Sequence, residues 1–300
     1  MSFLPRGVRR RLSRPATFPT LWAIVLFYGP AVANILDQII AHKRVEIAAA
    51  KQRMAQDELE RLASEAARPR NFFVACTQTA GPLNVIAEIK RASPSAGVIR
   101  EDFDPVALAK AYHAGGAAAI SCLTDEKYFQ GSLSYIDEIK RHVPLPVLRK
   151  DFIVDPYQLY ESRVFGADAV LLIAECLAEA ELIDLLILAA QLQLTALIEV
   201  HDVDSLLRVR PHVGFPHRGY CLLGINNRDL RTMTTDLGHT LRMVDLVEDH
   251  TILVSESGIR THEDTVKLRK AGIRTVLVGE HLMNQPDPGA ALHQLIHGEG

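Results

Sequence analysis

Lysines and glutamates end several otherwise apolar segments of this chain. Glu88 and Lys90 lie at the end of the run 85–89, and Lys150 ends the run 147–150. Residues two apart share one face of a strand, so Glu88 and Lys90 point the same way. A charge among apolar neighbours is costly unless it is paired or used. Burial disfavours the ammonium form of a lysine, and nearby glutamates oppose that shift by pairing with it, so these residue types predict proton-transfer chemistry.

Four further apolar segments end in polar residues or glycines. These residues are Glu199, Asn226, Arg228, Glu256, Ser257, Gly258, Gly279 and Glu280. Each one alone is consistent with an ordinary solvated strand end. If the segments share one sheet, however, two lysines and three glutamates meet at one edge of it, whereas the sequence spaces no group of side chains as metal ligands. The pattern predicts an acid–base site without a metal.

Eight short apolar segments recur at intervals of 22 to 33 residues, and each interval has room for a loop and a helix. Their nearly continuous hydrophobicity is typical of a parallel sheet that is covered on both faces. The predicted strands are residues 85–89, 118–123, 147–150, 169–173, 194–200, 220–225, 251–255 and 275–278. Eight strand–helix units predict an α/β fold, the (β/α)8 TIM barrel. An open doubly wound sheet is the competitor, but it would place a GxGxxG turn after the first strand, where this chain has KRASPSAG.

Helical periodicity precedes and separates these strands. It predicts helices over residues 35–53 and 57–68, which form an N-terminal helical extension of the barrel. Amphipathic stretches at 105–114, 179–191 and 262–271 fill intervals between strands. The predicted architecture therefore has helices on the outside of the sheet and a helical lead-in before it.

Two loops of the predicted barrel suit an anion. Such barrels carry their chemistry beyond the carboxyl ends of the strands, and many bind phosphate after the seventh and eighth. Ser257-Gly258 and Gly279 occupy those two positions. Glycine lets backbone N–H groups approach the anion, Ser257 adds a hydroxyl, and a short helix beginning near His281 points its N-terminus at the same place. This placement predicts a phosphate-binding site.

Eight segments of the sequence closely resemble the indole-3-glycerol phosphate synthase family of tryptophan biosynthesis. They are AEIKRASPSAG (87–97), LTDEKYFQGS (123–132), PVLRKDFIVDPYQ (146–158), GADAVLLI (166–173), LIEVHD (197–202), GINNRDL (224–230), SESGI (255–259) and VGEHLM (278–283). The resemblance runs from about Ile35 to Ile296 and includes every predicted strand. It implies a TIM barrel with an N-terminal helical extension, a carbon–carbon carboxy-lyase activity, and neither a metal nor a cofactor.

The resemblance also implies catalytic roles. The family's reaction takes 1-(2-carboxyphenylamino)-1-deoxyribulose 5-phosphate, closes the indole ring, and releases carbon dioxide and water. Lys150 would protonate the ketone as the ring closes, and Lys90 with Glu88 would help the remaining hydroxyl to leave as water. Glu199 would stabilise the positive charge on the ring nitrogen or shuttle a proton. Which of the two lysines acts at which step is left open.

Matching family positions imply a substrate-binding set as well. Asn226, Arg228 and Glu256 would shape the pocket, the first two toward the anthranilate side of the substrate. His281 stands where the family has a serine, so the phosphate site loses a hydroxyl or gains a ring N–H. The positions that hold the phosphate are matched by Ser93, Ser257, Gly258, Gly279 and Glu280.

Two other functions compete with this interpretation. Another phosphosugar barrel, such as the phosphoribosylanthranilate isomerase of the preceding pathway step, would need an acid–base pair but not two strand-end lysines. A non-catalytic phosphate-binding barrel, exported or tethered to a membrane, is suggested only by the N-terminal segment. The presence of both Lys150 and Glu88 argues against it.

The N-terminal segment differs in charge from the rest of the chain. Residues 1–36 contain five arginines and no acidic residue, whereas residues 37–300 carry a net charge of −8. The total net charge of −3 argues against a nucleic-acid partner. The apolar run 21–28 is shorter than the roughly 20 residues that span a bilayer, although it fits a secretory signal on paper. We interpret residues 1–34 as a poorly ordered extension or an upstream start, with a secretory signal as the alternative. Residues 35–300 are the predicted catalytic domain, with a helical lead-in over 35–80.

The cysteines indicate the compartment. Four cysteines lie about 45 to 55 residues apart, which fits neither a zinc site nor a disulfide framework. Cys122, Cys176 and Cys221 stand in apolar runs and are predicted to be buried. We expect a cytoplasmic protein whose partner is a small phosphosugar–anthranilate substrate, with no nucleic acid and no stable membrane association. Contact with neighbouring tryptophan-pathway enzymes is left open.

Overall fold

The computed structural model describes residues 35–78, 81–229 and 234–298 of the 300-residue chain. The interpretation of residues 1–34 as a poorly ordered extension lies outside these residues. Across the described part of the chain, no helix is both long enough and apolar enough to cross a membrane.

The predicted barrel is confirmed. Eight parallel strands pair in chain order, and the first pairs with the last, so the sheet closes on itself. These strands, β1 to β8, are Asn84–Ile89, Ala119–Leu123, Val147–Lys150, Ala169–Ile173, Thr195–Val200, Cys221–Asn226, Leu253–Glu256 and Thr275–Val278. A short antiparallel hairpin, Ala92–Ser93 with Gly97–Val98, follows β1 at the mouth of the barrel.

The helices cover the outside of the barrel and precede it. In the described residues, α1 to α13 are Ile35–Arg53, Gln56–Glu65, Phe72–Thr77, Pro105–Ala114, Glu126–Phe129, Ser134–Lys140, Pro156–Val164, Glu179–Gln191, Val203–Val209, Gly238–Met243, His262–Lys270, Glu280–Met283 and Pro288–His297. The first two form the predicted helical extension. Aspartate side chains cap several of the outer helices, as Asp104 does by accepting the N–H groups of Val106 and Ala107.

Most element boundaries agree with the predictions, and the differences occur at turns. β7 begins at Leu253 instead of residue 251, because Asp249 caps a 3-10 turn over His250–Ile252. β6 begins at Cys221 for a similar reason, since Arg218–Tyr220 is also a 3-10 turn. The second lead-in helix ends at Glu65, three residues before the predicted end, because Ala66 is extended.

Two hydrophobic layers hold the barrel together. The larger layer lies between the strands and the outer helices. The smaller one fills the barrel, and Phe72 and Cys76 of α3 belong to it, so α3 closes one end of the barrel. The strand residues of that inner layer are Ile86, Ala119, Leu148, Ala169, Leu171, Ile173, Leu197, Leu222, Val254 and Leu277.

A buried carboxylate fastens the lead-in to the barrel at the amino ends of β3 and β4. Asp168 accepts the backbone N–H of Arg70 at 2.6 Å and that of Val147 at 2.8 Å, and it pairs with Lys140 at 2.5 Å. Asp168 is fully buried, so these three donors replace its lost hydration.

The cysteines agree with the prediction in all but one case. Cys122 and Cys221 are buried, and so is Cys76, and all four thiols are free. The prediction that Cys176 is buried is wrong, because this residue lies on the 3-10 turn Ala174–Cys176 after β4 and is only partly covered.

Candidate active site

The site is built by the two-residue period of the barrel strands. Ile86, Leu148, Leu197 and Val254 point into the barrel, so the residue two positions later on each strand also points inward, one layer nearer the mouth. Those four later residues are Glu88, Lys150, Glu199 and Glu256. The strands therefore deliver three carboxylates and one ammonium to a single layer above the hydrophobic interior.

Lys150 lies at the centre of this layer. Its ammonium contacts Glu199 Oε2 and lies 3.2 Å from Glu256 Oε2, while its side chain is 12% exposed. Burial alone would lower the pKa of Lys150, but the carboxylates of Glu199, Glu256 and Glu88 raise it above its ordinary value. The desolvation effect expected from the sequence is thus outweighed, and Lys150 is an ammonium at neutral pH.

The two glutamates that contact Lys150 differ in protonation. Burial would raise the pKa of Glu199, but Lys150 and His201 hold it well below its usual range. Burial and the neighbouring Glu199 carboxylate raise the pKa of Glu256 to about 8. Two carboxyl groups that contact the same ammonium repel each other when both are ionised. Glu199 therefore keeps its negative charge, and Glu256 holds a proton over much of the neutral range.

A second acid–base pair lies at the carboxyl end of β1. Lys90 Nζ is 2.5 Å from Glu88 Oε1, and both side chains are largely buried, as the shared strand face predicted. Asn226, at the end of β6, donates its side-chain N–H to Glu199 Oε1 at 3.0 Å. The site thus contains two lysine–glutamate pairs, and an amide orients one of the four charged groups.

Two glycines leave the space that two of these glutamates occupy. A Cβ on Gly224 would lie 2.1 Å from Glu256 Oε1, and a Cβ on Gly279 would lie 2.2 Å from Glu88 Oε1. Neither distance is tolerable for nonbonded atoms. The sequence predicted Gly279 as an anion-binding residue, and the structure adds that the absence of its side chain admits Glu88.

The loops after β6 and β8 are joined by an ion pair. Arg228 lies 2.7 Å from Glu280 Oε2 and donates to Ser95 Oγ at 2.8 Å. Hydrogen bonding to Arg228 lowers the pKa of Glu280. Arg228 Nε is buried without a hydrogen-bond partner among the described residues, and the residue as a whole lines the mouth of the barrel.

The predicted phosphate residues lie at the expected loops. Ser257 and Gly258, directly after β7, both have left-handed backbone angles, with φ of 66° and 78°. Two successive residues of this kind turn the chain sharply beyond the strand. Ser93 lies in the hairpin after β1 and accepts the backbone N–H of Ala96 at 3.2 Å. His281 and Arg260 line one cavity at the mouth of the barrel together with these residues. Burial and the charge of Arg260 lower the pKa of His281.

All twelve predicted site residues line one cavity of about 180 Å³ at the mouth of the barrel. They are Glu88, Lys90, Ser93, Lys150, Glu199, Asn226, Arg228, Glu256, Ser257, Gly258, Gly279 and Glu280. The structure therefore brings the whole predicted set together.

The sequence did not predict the apolar wall of this cavity. Leu36 and Ile39 of α1 line it, and so do Phe129 and Phe152, whose ring centroids are 6.0 Å apart. These residues surround the charged layer with flat or branched apolar surface, which suits an aromatic ring in the substrate. Apolar residues carry no chemical signature, so their spacing could not mark them as part of a site.

Helix α1 is held over the mouth by a buried cation. Lys43 is 4% exposed, and its ammonium lies 2.8 Å from Asp125 and 3.0 Å from Asp151, which follow β2 and β3. Burial would lower the pKa of Lys43, but these two aspartates raise it above its ordinary value. The lead-in helix is therefore fixed to the catalytic face, and its first turn forms part of the cavity wall.

A closed (β/α)8 barrel with lysines and glutamates paired at the carboxyl ends of its strands is an acid–base enzyme of the TIM-barrel class. The indole-3-glycerol phosphate synthase family model matches residues 36–295, and the chain belongs to this family.

Similar proteins agree with that assignment. The chain is 48% identical to an indole-3-glycerol phosphate synthase of Acidithiobacillus ferrooxidans over 266 residues, 88% of this chain and 99% of that protein. It is also 48% identical to the synthase of Rhodopirellula baltica over 263 residues, 88% of this chain and 99% of that protein. The predicted activity is confirmed: the chain is a decarboxylating carbon–carbon lyase of tryptophan biosynthesis.

More distant solved structures share the fold alone. A 3-hexulose-6-phosphate synthase superposes with a TM-score of 0.56 at 14% identity, covering 73% of this chain and all of that one. A tryptophan synthase α-subunit from Pyrococcus furiosus gives a TM-score of 0.52 at 12% identity, covering 71% of this chain and 97% of that one. The barrel architecture is thus common to enzymes whose names differ.

Proposed function

We propose that the charged layer at the barrel mouth catalyses ring closure, decarboxylation and dehydration of 1-(2-carboxyphenylamino)-1-deoxyribulose 5-phosphate, with Lys150 as the proton donor for ring closure. The observation that carries this proposal is the position of Lys150, a largely buried ammonium that lines the cavity and is held by Glu199 and Glu256.

Ring closure needs an acid because the attacking aromatic carbon is a weak nucleophile. As this carbon attacks the ketone, the carbonyl oxygen gains electron density and becomes far more basic than an amine. An ammonium whose pKa is raised by neighbouring carboxylates can still transfer its proton to such an oxygen. Lys150 therefore donates a proton to the developing alkoxide, and the new bond leaves positive charge on the nitrogen.

Glu199 stabilises that positive charge. Its pKa is held well below the usual range, so it is a carboxylate when the charge develops, and Asn226 orients one of its oxygens. An anion preorganised in a buried site stabilises a developing cation more than water does. Loss of carbon dioxide then returns the bonding electrons to the ring and restores its aromaticity.

Dehydration uses the pair at the carboxyl end of β1. The hydroxyl formed from the ketone must leave as water, which needs one proton donated to oxygen and one removed from the ring system. Lys90 and Glu88 are 2.5 Å apart on one strand face and can supply an acid and a base. Because the two groups are in hydrogen-bond contact, the proton that Glu88 removes can return to Lys90 after Lys90 has donated its own.

The two ends of the substrate are both anionic. We assign its phosphate to Ser93, the Ser257-Gly258 turn and Gly279, with Glu280 contributing its backbone N–H because its carboxylate is engaged by Arg228. The guanidinium of Arg228, which lines the cavity, suits the anthranilate carboxylate, and Phe129 and Phe152 suit the ring.

We also propose that residues 35–300 form the complete catalytic unit, and that the chain acts in the cytoplasm. The family match over residues 36–295 supports the first statement. Four free cysteines support a reducing compartment.

The proposal is tested with Lys150→Ala and Lys150→Arg. Loss of a general acid typically costs about 10² to 10⁴ in rate, so kcat should fall by at least about a hundredfold in the alanine variant. Arginine keeps the positive charge but releases its proton far less readily, so it should restore less than about a tenth of the parent kcat. Product is measured by its indole fluorescence.

The matched control is Lys51→Ala. Lys51 pairs with Asp155 at 2.7 Å outside the cavity, and its side chain is 39% exposed. This variant should keep the parent kcat. A Lys150→Ala enzyme whose kcat stays within about tenfold of the parent would refute the general-acid role.

A further inference from the structure

A histidine lies directly behind Glu199 and has no part in the steps above. His201 follows β5, and its side chain is 7% exposed. Its Nε2 lies 3.1 Å from Glu199 Oε1, on the oxygen that also accepts from Asn226. The ring N–H is not aimed straight at that oxygen, so the contact is an ion pair and not a linear hydrogen bond.

The other face of His201 is held by a second carboxylate. Its Nδ1 is 3.1 Å from Glu175 Oε2, and its backbone N–H donates to Glu175 Oε1 at 2.9 Å. Glu175 lies on the 3-10 turn that follows β4, and His201 directly follows β5. The last residue of β4, Ile173, pairs in register with Glu199, so the two segments leave the sheet side by side. Both oxygens of Glu175 are thus committed to one histidine.

We propose that His201, clamped by Glu175, is a positioning residue that fixes the orientation and the charge of the Glu199 carboxylate. The inference rests on the proposed function, since it assigns His201 a task only if Glu199 acts in the reaction.

The charge state of the ring follows from its two neighbours. Neutral imidazole has one N–H and one bare nitrogen, whereas two carboxylates on opposite nitrogens are both matched only by imidazolium. Burial would lower the pKa of His201, but its contacts with Glu175 and Glu199 raise it to about 10. At neutral pH, a cation therefore lies on the outer side of Glu199 and Lys150 on the inner side.

This arrangement explains how Glu199 stays ionised beside Glu256. Without the imidazolium, Lys150 would be the remaining cation in contact with two carboxylates, and Glu199 could more readily take up a proton. His201 also lines a second cavity, together with other charged or titratable residues. These residues are the same in the parent and in the variants described below, so they affect all of these proteins equally. They are Asp37, Asp202, Asp229, Asp236, His239 and Arg242.

The experiment compares His201→Gln and Glu175→Gln with the parent in pH profiles of kcat and KM. An opposite charge within about 6 Å lowers a carboxyl pKa by about 1 to 3 units, so removing the imidazolium should move the acid limb of kcat upward by about one pH unit. On that limb kcat falls about tenfold, while KM stays within about twofold. Glu175→Gln should shift the limb in the same direction by a smaller amount.

His212→Gln is the matched control. His212 Nε2 lies 2.7 Å from Glu179 Oε1, so it is also a histidine–glutamate pair, but it lines neither cavity. The control should leave both the acid limb and kcat unchanged. If His201→Gln does not fold, Glu175→Gln decides the question alone, because its glutamine oxygen can still accept the backbone N–H of His201.

Glu199→Gln separates this inference from the proposed function. If that variant loses kcat while the His201 and Glu175 variants keep the parent's acid limb, the positioning role is overturned and the proposed function stands. A lower kcat in His201→Gln with an unmoved acid limb also overturns the positioning role, since a purely structural defect would produce it. If Glu199→Gln keeps the parent kcat, the proposed role of Glu199 fails and the inference fails with it.

Discussion

The Gly224→Ala substitution tests whether the glutamates need the space that the strands leave for them. Gly224 lies in β6, in register with Glu199 of β5, and has no side chain of its own to lose. A Cβ at this position would lie 2.1 Å from Glu256 Oε1 and 3.3 Å from Leu197 Cδ1. The leucine can adjust by a few tenths of an ångström, but the carboxylate must move away.

The size of the effect follows from that displacement. Ordinary contact begins at 3.4 Å, so Glu256 Oε1 has to retreat by more than 1 Å. Its other oxygen lies 3.2 Å from Lys150 Nζ, and a shift of that size breaks or distorts this contact. Lys150 loses one of the two carboxyl groups that position it, and a misplacement of about 1 Å in an active site can cost about 10² in rate, so kcat should fall roughly a hundredfold.

The assay is steady-state product fluorescence, with the melting temperature measured in parallel to show that the variant is folded. Gly81→Ala is the control, because a Cβ there meets no atom within 4 Å. Glu256→Asp in the Gly224→Ala background withdraws the carboxylate and should recover part of the lost kcat. A Gly224→Ala enzyme with kcat within about threefold of the Gly81→Ala enzyme would refute the steric argument.

Two substitutions outside the reacting layer should affect stability. Lys43→Met leaves the buried carboxylates of Asp125 and Asp151 without their shared ammonium. The unfolding free energy from urea titrations should fall by about 3–5 kcal/mol, and KM should rise because α1 is held less firmly over the cavity. A loss below about 1 kcal/mol would contradict the role of Lys43 in holding α1. Asp168→Asn loses the ion pair with Lys140 and one of the two oxygens that accept the backbone N–H groups of Arg70 and Val147. It should cost about 2–3 kcal/mol in the same titration, with kcat unchanged because Asp168 lies at the opposite end of the barrel. A change in kcat larger than about threefold in this second variant would contradict that separation.

The reacting layer could be predicted because it depends on strand periodicity alone. Once β1, β3, β5 and β7 are recognised, a charge two residues after an inward apolar residue must lie inside the barrel, and closure of the sheet brings the charges together. The sequence predicted Glu88, Lys150, Glu199 and Glu256 from their places at the ends of apolar strands, and the strand period explains why they line one cavity. The family resemblance then supplied a reaction that needs such a set.

The surroundings of the layer depend on tertiary contacts that no local pattern encodes. The lead-in helix was predicted, but its position over the mouth is set by Lys43 meeting two aspartates more than 80 residues away in the chain. His201 lies inside one of the recognised segments, yet its role needs Glu175 from the turn after the preceding strand. The misjudged Cys176 has a related cause, because a 3-10 turn lifts it partly out of the core.

The most direct measurement is product formation by the purified chain from 1-(2-carboxyphenylamino)-1-deoxyribulose 5-phosphate, in a chelator and without added metal. We expect indole fluorescence to rise with release of one equivalent of carbon dioxide, since the acid–base residues at the barrel mouth carry every proton transfer in the proposed steps. Folded protein that binds this substrate but yields no fluorescent product, or yields it only with an added metal, would contradict the account.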